Sequence, residues 1–180
     1  MLAAKPVSLP DMAVGSANAP VTIVEYASMS CPHCAAFHEN VFPMLQSKYV
    51  DAGKVRFVFR EFPLDIKAAA ASMLARCIAN DDAAKYFGTI ELLFKQQDQL
   101  MEQTKATLTL VGAQAGMSEQ AVEACGKDQA MLDKLSADQN FAYKELKVDA
   151  TPTFFINGEM SKGTMSFEEL DKKIRSLLKR

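Results

Sequence analysis

Cys31 and Cys34, three positions apart in the run S-C-P-H-C-A-A-F, are the residues of this chain best suited to chemistry. Such a pair serves one of two ends. It is half of a tetrahedral metal clamp, completed by a second CxxC or by two histidines. Or it is a dithiol that opens and closes as a disulfide. A clamp would be short of ligands here. The chain has one CxxC, two histidines (His33 and His38) and two isolated cysteines, Cys77 and Cys125. His38 follows Cys34 by four residues, on the same helical face, and is the one candidate addition. The plainer expectation for it is a solvated or capping side chain. His33 points away if the motif opens a helix. Four ligands at zinc spacing do not assemble.

A dithiol uses every position of the run. In the first turn of a helix the backbone N–H groups lack partners and the helix dipole is positive. A Cys31 thiolate is stabilised there and becomes both a nucleophile and a good leaving group. Pro32 has no N–H to lose and is tolerated in the first turn. His33 adds a donor, or a positive charge, beside Cys31. Cys34 comes one turn later and points inward, where a thiol stays protonated. Met29 and Ser30, just before the motif, make a less apolar approach or, through Met29, an adaptable apolar surface.

The flanking elements follow from the hydrophobic pattern. Residues 21–26, V-T-I-V-E-Y, are β-branched and aromatic and predict a strand, interrupted by Glu25. After Cys34, the spacing of Phe37, Val41, Leu45 and Tyr49 predicts a helix, kinked at Pro43. Residues 55–59 alternate and predict a second strand, with Val55, Phe57 and Phe59 on one face. Strand, helix and strand at this spacing make a βαβ unit with parallel strands. Residues 66–146 show no strand pattern. Helices are predicted over 67–79, 82–94, 105–115, 119–125 and 129–146, with Asp82 at a helix start and Ser118 as an N-cap. This block reads as an inserted helical domain. T-F-F-I at 153–156 is a strand, Asn157-Gly158 a tight hairpin turn, and the returning strand is short. Ser166 caps a last helix with an apolar stripe of Phe167, Leu170, Ile174 and Leu177. The phenylalanines at 57, 59, 154 and 155 are expected in the sheet core. Residues 1–20 form an extended lead-in with a short edge strand near Val7.

The totals set bounds. A chain of 180 residues with 49% hydrophobic and 23% charged residues has the composition of a soluble globular protein. The net charge of −2, with both signs interspersed, argues against nucleic acid and anionic lipid as partners. No apolar run is long enough to span a bilayer. The opening M-L-A-A-K-P-V-S-L-P lacks the apolar core of a signal peptide, which leaves a cytoplasmic chain or an exported one processed before Met1 was added.

The motif Cys31-Pro32-His33-Cys34 after V-E-Y-A-S, the helical interruption, and Thr151-Pro152-Thr153-Phe154 before the last hairpin resemble the bacterial DsbA-like thiol:disulfide oxidoreductases of the thioredoxin superfamily. The resemblance spans nearly the whole chain. It implies an α/β thioredoxin fold, a central mixed β-sheet flanked by helices, with an inserted all-helical domain. The division would be 1–65 and 147–180 for the thioredoxin domain and 66–146 for the insertion. It implies that Cys31 is the exposed nucleophile that forms the mixed disulfide with substrate and that Cys34 resolves it. Pro152 would be cis, with the Thr151 backbone beside Cys31 and antiparallel to substrate. Glu25 would be a buried acid that moves the proton of Cys34, the alternative being a strand-end Glu at the surface. Thr151 stands where many members carry Val. Some relatives hold a second, non-catalytic disulfide in the helical block, which makes Cys77 and Cys125 candidates to pair; the alternative is two buried free thiols.

The activity so implied is an oxidase that introduces disulfides into folding exported proteins. A reductase or isomerase using the same site is the alternative, and a zinc-binding or chaperone-like module is one from a different class. No organic cofactor or metal is expected, the Cys31–Cys34 disulfide carrying the electrons. The expected partners are reduced or unfolded exported proteins and a membrane oxidase of the DsbB type. A periplasmic monomer is expected, its signal peptide already removed.

Overall fold

A computed structural model of the chain describes residues 8–180. Five strands form one mixed sheet: β1 (Met12–Val14), β2 (Val21–Ala27), β3 (Val55–Glu61), β4 (Thr153–Ile156) and β5 (Glu159–Lys162), in the order β1-β3-β2-β4-β5. β2 and β3 are parallel and the other pairings are antiparallel. The edge strand expected near Val7 lies outside the described residues; the one observed is β1.

β2 is the central strand, and its two-residue period sorts its side chains by face. Val21, Ile23 and Ala27 join Phe57, Phe59, Phe154 and Ile156 in the main core. Val24 and Tyr26 join Val58, Phe155, Ala142 and Val148 in a smaller one on the other face. The four phenylalanines expected in the sheet core are all buried. Glu25 is in register with Phe59 on one side and Phe154 on the other, so it faces the main core.

That face is covered by α1 (Pro32–Asn40), which follows β2, and by the short α2 (Phe42–Leu45). The helix expected to run kinked through Pro43 is in fact broken. Val41 leaves ideal helical geometry at φ −113°, and Pro43 lies in the first turn of α2, where its missing N–H costs nothing. A π-helical turn, Gln46–Val50, leads into β3. Between β3 and β4 all the described elements are helical: α3 (Ile66–Ala79), α4 (Ala83–Lys95), α5 (Gln97–Glu102), α6 (Thr104–Gln114), α7 (Glu119–Gly126) and α8 (Gln129–Lys144). Asp65, Asp82, Ser118 and Asp128 cap α3, α4, α7 and α8 through their side-chain oxygens. α5 is absent from the sequence expectation, because a six-residue polar stretch with one buried residue, Leu100, has no period to detect. Asn157 and Gly158 both have positive φ, 47° and 86°, as a two-residue hairpin of this hand requires. α9 (Phe167–Leu178) opens with a reciprocal capping box between Ser166 and Glu169. Among the described residues no helix is long and apolar enough to cross a membrane.

Cys77 on α3 and Cys125 on α7 are joined in a disulfide across a sequence separation of 48. Chain-entropy arguments give such a loop about 4 kcal/mol of stabilisation. The double variant Cys77→Ser/Cys125→Ser is therefore expected to lose up to about 4 kcal/mol of unfolding free energy, read by denaturant titration without reductant. An unchanged midpoint would rule out a stabilising bridge.

Candidate active site

The segment after β2 turns sharply into α1, and Ser28 holds the turn together. The Ser28 hydroxyl lies 3.0 Å from that of Ser30 and accepts the N–H of Leu64, in the loop after β3, at 3.2 Å. The Cys31 N–H donates to the Ser28 carbonyl at 3.1 Å. Cys31 then occupies the N-cap position of α1, with Pro32 in the first turn. N-cap residues normally offer a side-chain oxygen to an unpaired N–H of the first turn. Here the acceptor is sulfur: the Cys34 N–H donates to Cys31 Sγ at 3.1 Å. On its other side the Cys31 thiol donates to the Thr151 carbonyl at 3.5 Å. The Thr151–Pro152 peptide is cis. The loop is fixed by the Gly163 N–H on the Pro152 carbonyl and by the Thr153 hydroxyl on the Ala150 carbonyl.

Both cysteines are free thiols and both are buried, Cys31 at 4% exposure and Cys34 at 0%, so Cys31 is not the exposed residue expected: the turn after β2 and the Thr151 loop cover its sulfur. They titrate in opposite directions. A hydrogen bond from the Cys34 side chain pulls the Cys31 pKa down to about 6. Desolvation opposes this, while the Thr151 side chain and the backbone N–H groups of Cys34 and His33 add to it. Burial pushes the Cys34 thiol far up, helped by its hydrogen bond to Cys31 and by the charge of Glu25. The site therefore holds one ready thiolate and one locked thiol. The His33 ring is exposed, and its part in lowering Cys31 comes through its backbone N–H rather than the imidazole.

Glu25 is completely buried beneath the motif. Its Oε2 lies 2.7 Å from His38 Nε2. His38 is not the solvated or capping residue expected; it is 4% exposed and stacks on Phe94 at 4.7 Å between centroids. Phe57 and Phe59 present edges to it. The reason lies in its spacing: four residues after Cys34, it shares that residue's inward face, directly over the β2 position of Glu25. A carboxylate in an apolar strand needs a partner, and the inner face of the next helix was where to look for one. Among the described residues, Glu25 Oε1 and His38 Nδ1 have no hydrogen-bond partner. His38 also lines a cavity of about 160 Å³ between α1 and α4, with Glu39, Glu91 and Lys95 at its walls.

Met29 is not an adaptable surface either. Its side chain is buried at 1% exposure, because the turn held by Ser28 folds it inward. A residue with no signal in the sequence also reaches the site: Gln97 Nε2 donates to the carbonyls of Met29 and Cys31. Among the described residues no three His, Cys, Asp or Glu side chains are grouped to hold a metal ion. His38 is engaged with Glu25, and Cys77 and Cys125 are bonded to each other.

A thioredoxin family model matches residues 8–176. The crystal structure of α-DsbA1 from Wolbachia pipientis is 32% identical, with a TM-score of 0.86, covering 94% of this chain and 92% of that one. Oxidised BdbD from Bacillus subtilis shares the fold at a TM-score of 0.81 and 24% identity, covering 94% of each chain. A Rickettsia bellii protein, provisionally named a protein-disulfide oxidoreductase, is 35% identical over 150 residues, 82% of this chain and 57% of that protein. Disulfide bond formation protein D of Bacillus subtilis is 27% identical over 171 residues, 92% of this chain and 76% of that protein. The chain thus spans little more than half the length of the rickettsial relative. From its sheet order to its capped dithiol, it belongs to the DsbA-like family of the thioredoxin superfamily.

Proposed function

We propose that the protein is a thiol:disulfide oxidase that passes its Cys31–Cys34 disulfide to folding exported proteins. The carrying observation is the Cys31 sulfur at the N-cap of α1, with a pKa of about 6, beside a Cys34 held as a thiol. A substrate thiolate attacks Cys31 Sγ; the Cys31–Cys34 bond breaks and Cys34 leaves with the electron pair and takes up a proton. A second substrate thiolate then attacks the substrate sulfur of the mixed disulfide and releases Cys31 as a thiolate. Two electrons move from substrate to protein. A low Cys31 pKa speeds the release, since a less basic thiolate leaves faster.

Each neighbouring group has a part in this scheme. The Thr151 backbone, turned toward Cys31 by the cis Pro152, pairs with the substrate strand. Glu25 supplies the proton that Cys34 needs on leaving and takes it back when the disulfide reforms. His38, bonded to Glu25 and bordering the α1–α4 cavity, connects that proton to water. Residues 66–146 act as an insertion whose α4 packs on α1, with 1–65 and 147–180 as the thioredoxin unit. The substrates are reduced exported proteins in an oxidising compartment such as the periplasm, and a membrane oxidase of the DsbB type restores the disulfide to a monomeric enzyme. The names of the Rickettsia and Bacillus relatives support this reading. No organic cofactor or metal is required, because the two sulfurs carry the electrons.

The direction of electron flow is testable through stability. The folded pKa of Cys31, about 6, lies below its ordinary value of 9.0. A depressed pKa stabilises the folded reduced protein fully above the unfolded value and loses that effect as pH falls through the folded one. The disulfide form has no thiolate and gains nothing. Cys34 acts in the opposite sense at high pH, because only the unfolded chain can ionise it there. The reduced protein should melt above the oxidised protein at neutral pH. The gap should widen from below pH 6 to about pH 9 and narrow beyond. An oxidised form that melts higher at neutral pH would favour a reductase. A second expectation concerns the relay. Glu25→Gln should slow formation of the mixed disulfide with a reduced substrate by about a hundredfold, the scale of general acid–base catalysis. The titration of Cys31, followed by thiolate absorbance, should stay near 6. An unaltered rate of mixed-disulfide formation would remove Glu25 from the mechanism.

A further inference from the structure

Gln97 is the first residue of α5 and half-buried. Its Nε2 donates to the Met29 carbonyl at 2.9 Å and to the Cys31 carbonyl at 3.0 Å. Both hydrogens of one amide are therefore spent on a single turn, the one that delivers Cys31 to the N-cap. The Cys31 carbonyl is also the first acceptor inside α1, taking the Ala35 N–H at 3.1 Å. Gln97 and the first turn of α1 thus converge on the same oxygen. α5 is itself anchored: Leu100 is fully buried, and Lys67 Nζ on α3 donates to the Met101 carbonyl at 2.7 Å.

We propose that Gln97 is a positioning residue for the redox centre, one that sets how acidic Cys31 is by clamping the Met29–Cys31 turn to the helical block. The inference rests on the thiolate reading of Cys31 given above. The Cys31 sulfur reaches the Cys34 N–H only because the Cys31 backbone is held at φ −86° and ψ 115°. Hydrogen bonds weaken steeply with misalignment, and those to a charged acceptor are the strong ones. A small rotation of the turn therefore costs the thiolate more than the thiol. Gln97 resists that rotation by fixing the carbonyls on either side of Ser30. The clamp makes Cys31 acidity a property of the helical block as well as of α1.

The test uses the full chain and two substitutions, Gln97→Leu, which removes both donors, and Gln97→Glu, which keeps the shape but turns acceptors toward the two carbonyls. Cys31 is titrated by thiolate absorbance in each, and each is equilibrated with glutathione. In Gln97→Leu the Cys31 midpoint should rise by about one pH unit, with about a tenfold shift of the equilibrium toward the oxidised protein. Gln97→Glu should shift both further in the same direction. Midpoints and equilibria equal to those of the unsubstituted protein, with only the melting temperature lowered, would overturn the proposal and leave Gln97 a structural tie. Gln97→Leu, which adds no charge, is the deciding substitution, and Gln97→Met takes its place if Gln97→Leu fails to fold. An unsubstituted Cys31 midpoint near that of an ordinary thiol would instead defeat the thiolate reading itself, so the two failures are told apart.

Discussion

A backbone N–H that no carbonyl can reach, that of Cys34 in the first turn of α1, is answered by a sulfur atom 3.1 Å away. Helices always begin with such orphan donors, and a serine or aspartate oxygen normally satisfies them. Placing cysteine there turns a structural need into a chemical one, because the cap is better satisfied by thiolate than by thiol. The surroundings preserve that preference. Pro32 keeps the first turn short of a competing donor, Ser28 folds the approach, and Gln97 holds its carbonyls. The Thr151 carbonyl is the exception. It accepts from a thiol and has nothing to offer a thiolate, so it is freed for another donor once Cys31 ionises.

One turn along the helix the physics is inverted. Cys34 has no exposure and lies within the field of a buried carboxylate, so its charge is suppressed by the same fold that promotes that of Cys31. Burying Glu25 in the central strand is costly unless it is hydrogen-bonded. His38 meets one of its oxygens, and the rings of Phe57, Phe59 and Phe94 pack around the imidazole.

Strands β2 to β5, the hairpin at Asn157-Gly158 and most helix starts are legible because their determinants are local: β-branched runs, a turn that demands positive φ, and capping side chains three residues from the N–H they serve. The dithiol was legible for the same reason. What escaped depends on packing between distant elements. Gln97 is 66 residues from the carbonyl it holds at Cys31, and nothing in Q-Q-D-Q-L marks it out. Polarity alone places His38 in solvent, although its spacing from Cys34 puts it on the buried face. Its burial becomes readable only when Glu25, thirteen positions earlier, is treated as needing a partner. Met29 escapes likewise, since the fold of a three-residue turn decides whether its side chain meets water.

The Thr151 carbonyl beside Cys31 lies 120 residues further along the chain. β4, which follows that loop, is also the strand that closes the second side of β2. During synthesis from the N-terminus, the two thiols and their helix are made long before either the clamp from α5 or the loop with Pro152 exists. A nascent chain therefore carries the cysteine pair before the contacts from Gln97 and Thr151 that surround Cys31 have formed. The surroundings of the first sulfur are assembled from three separated stretches of sequence, and the stretch at Thr151 is made after the whole helical block.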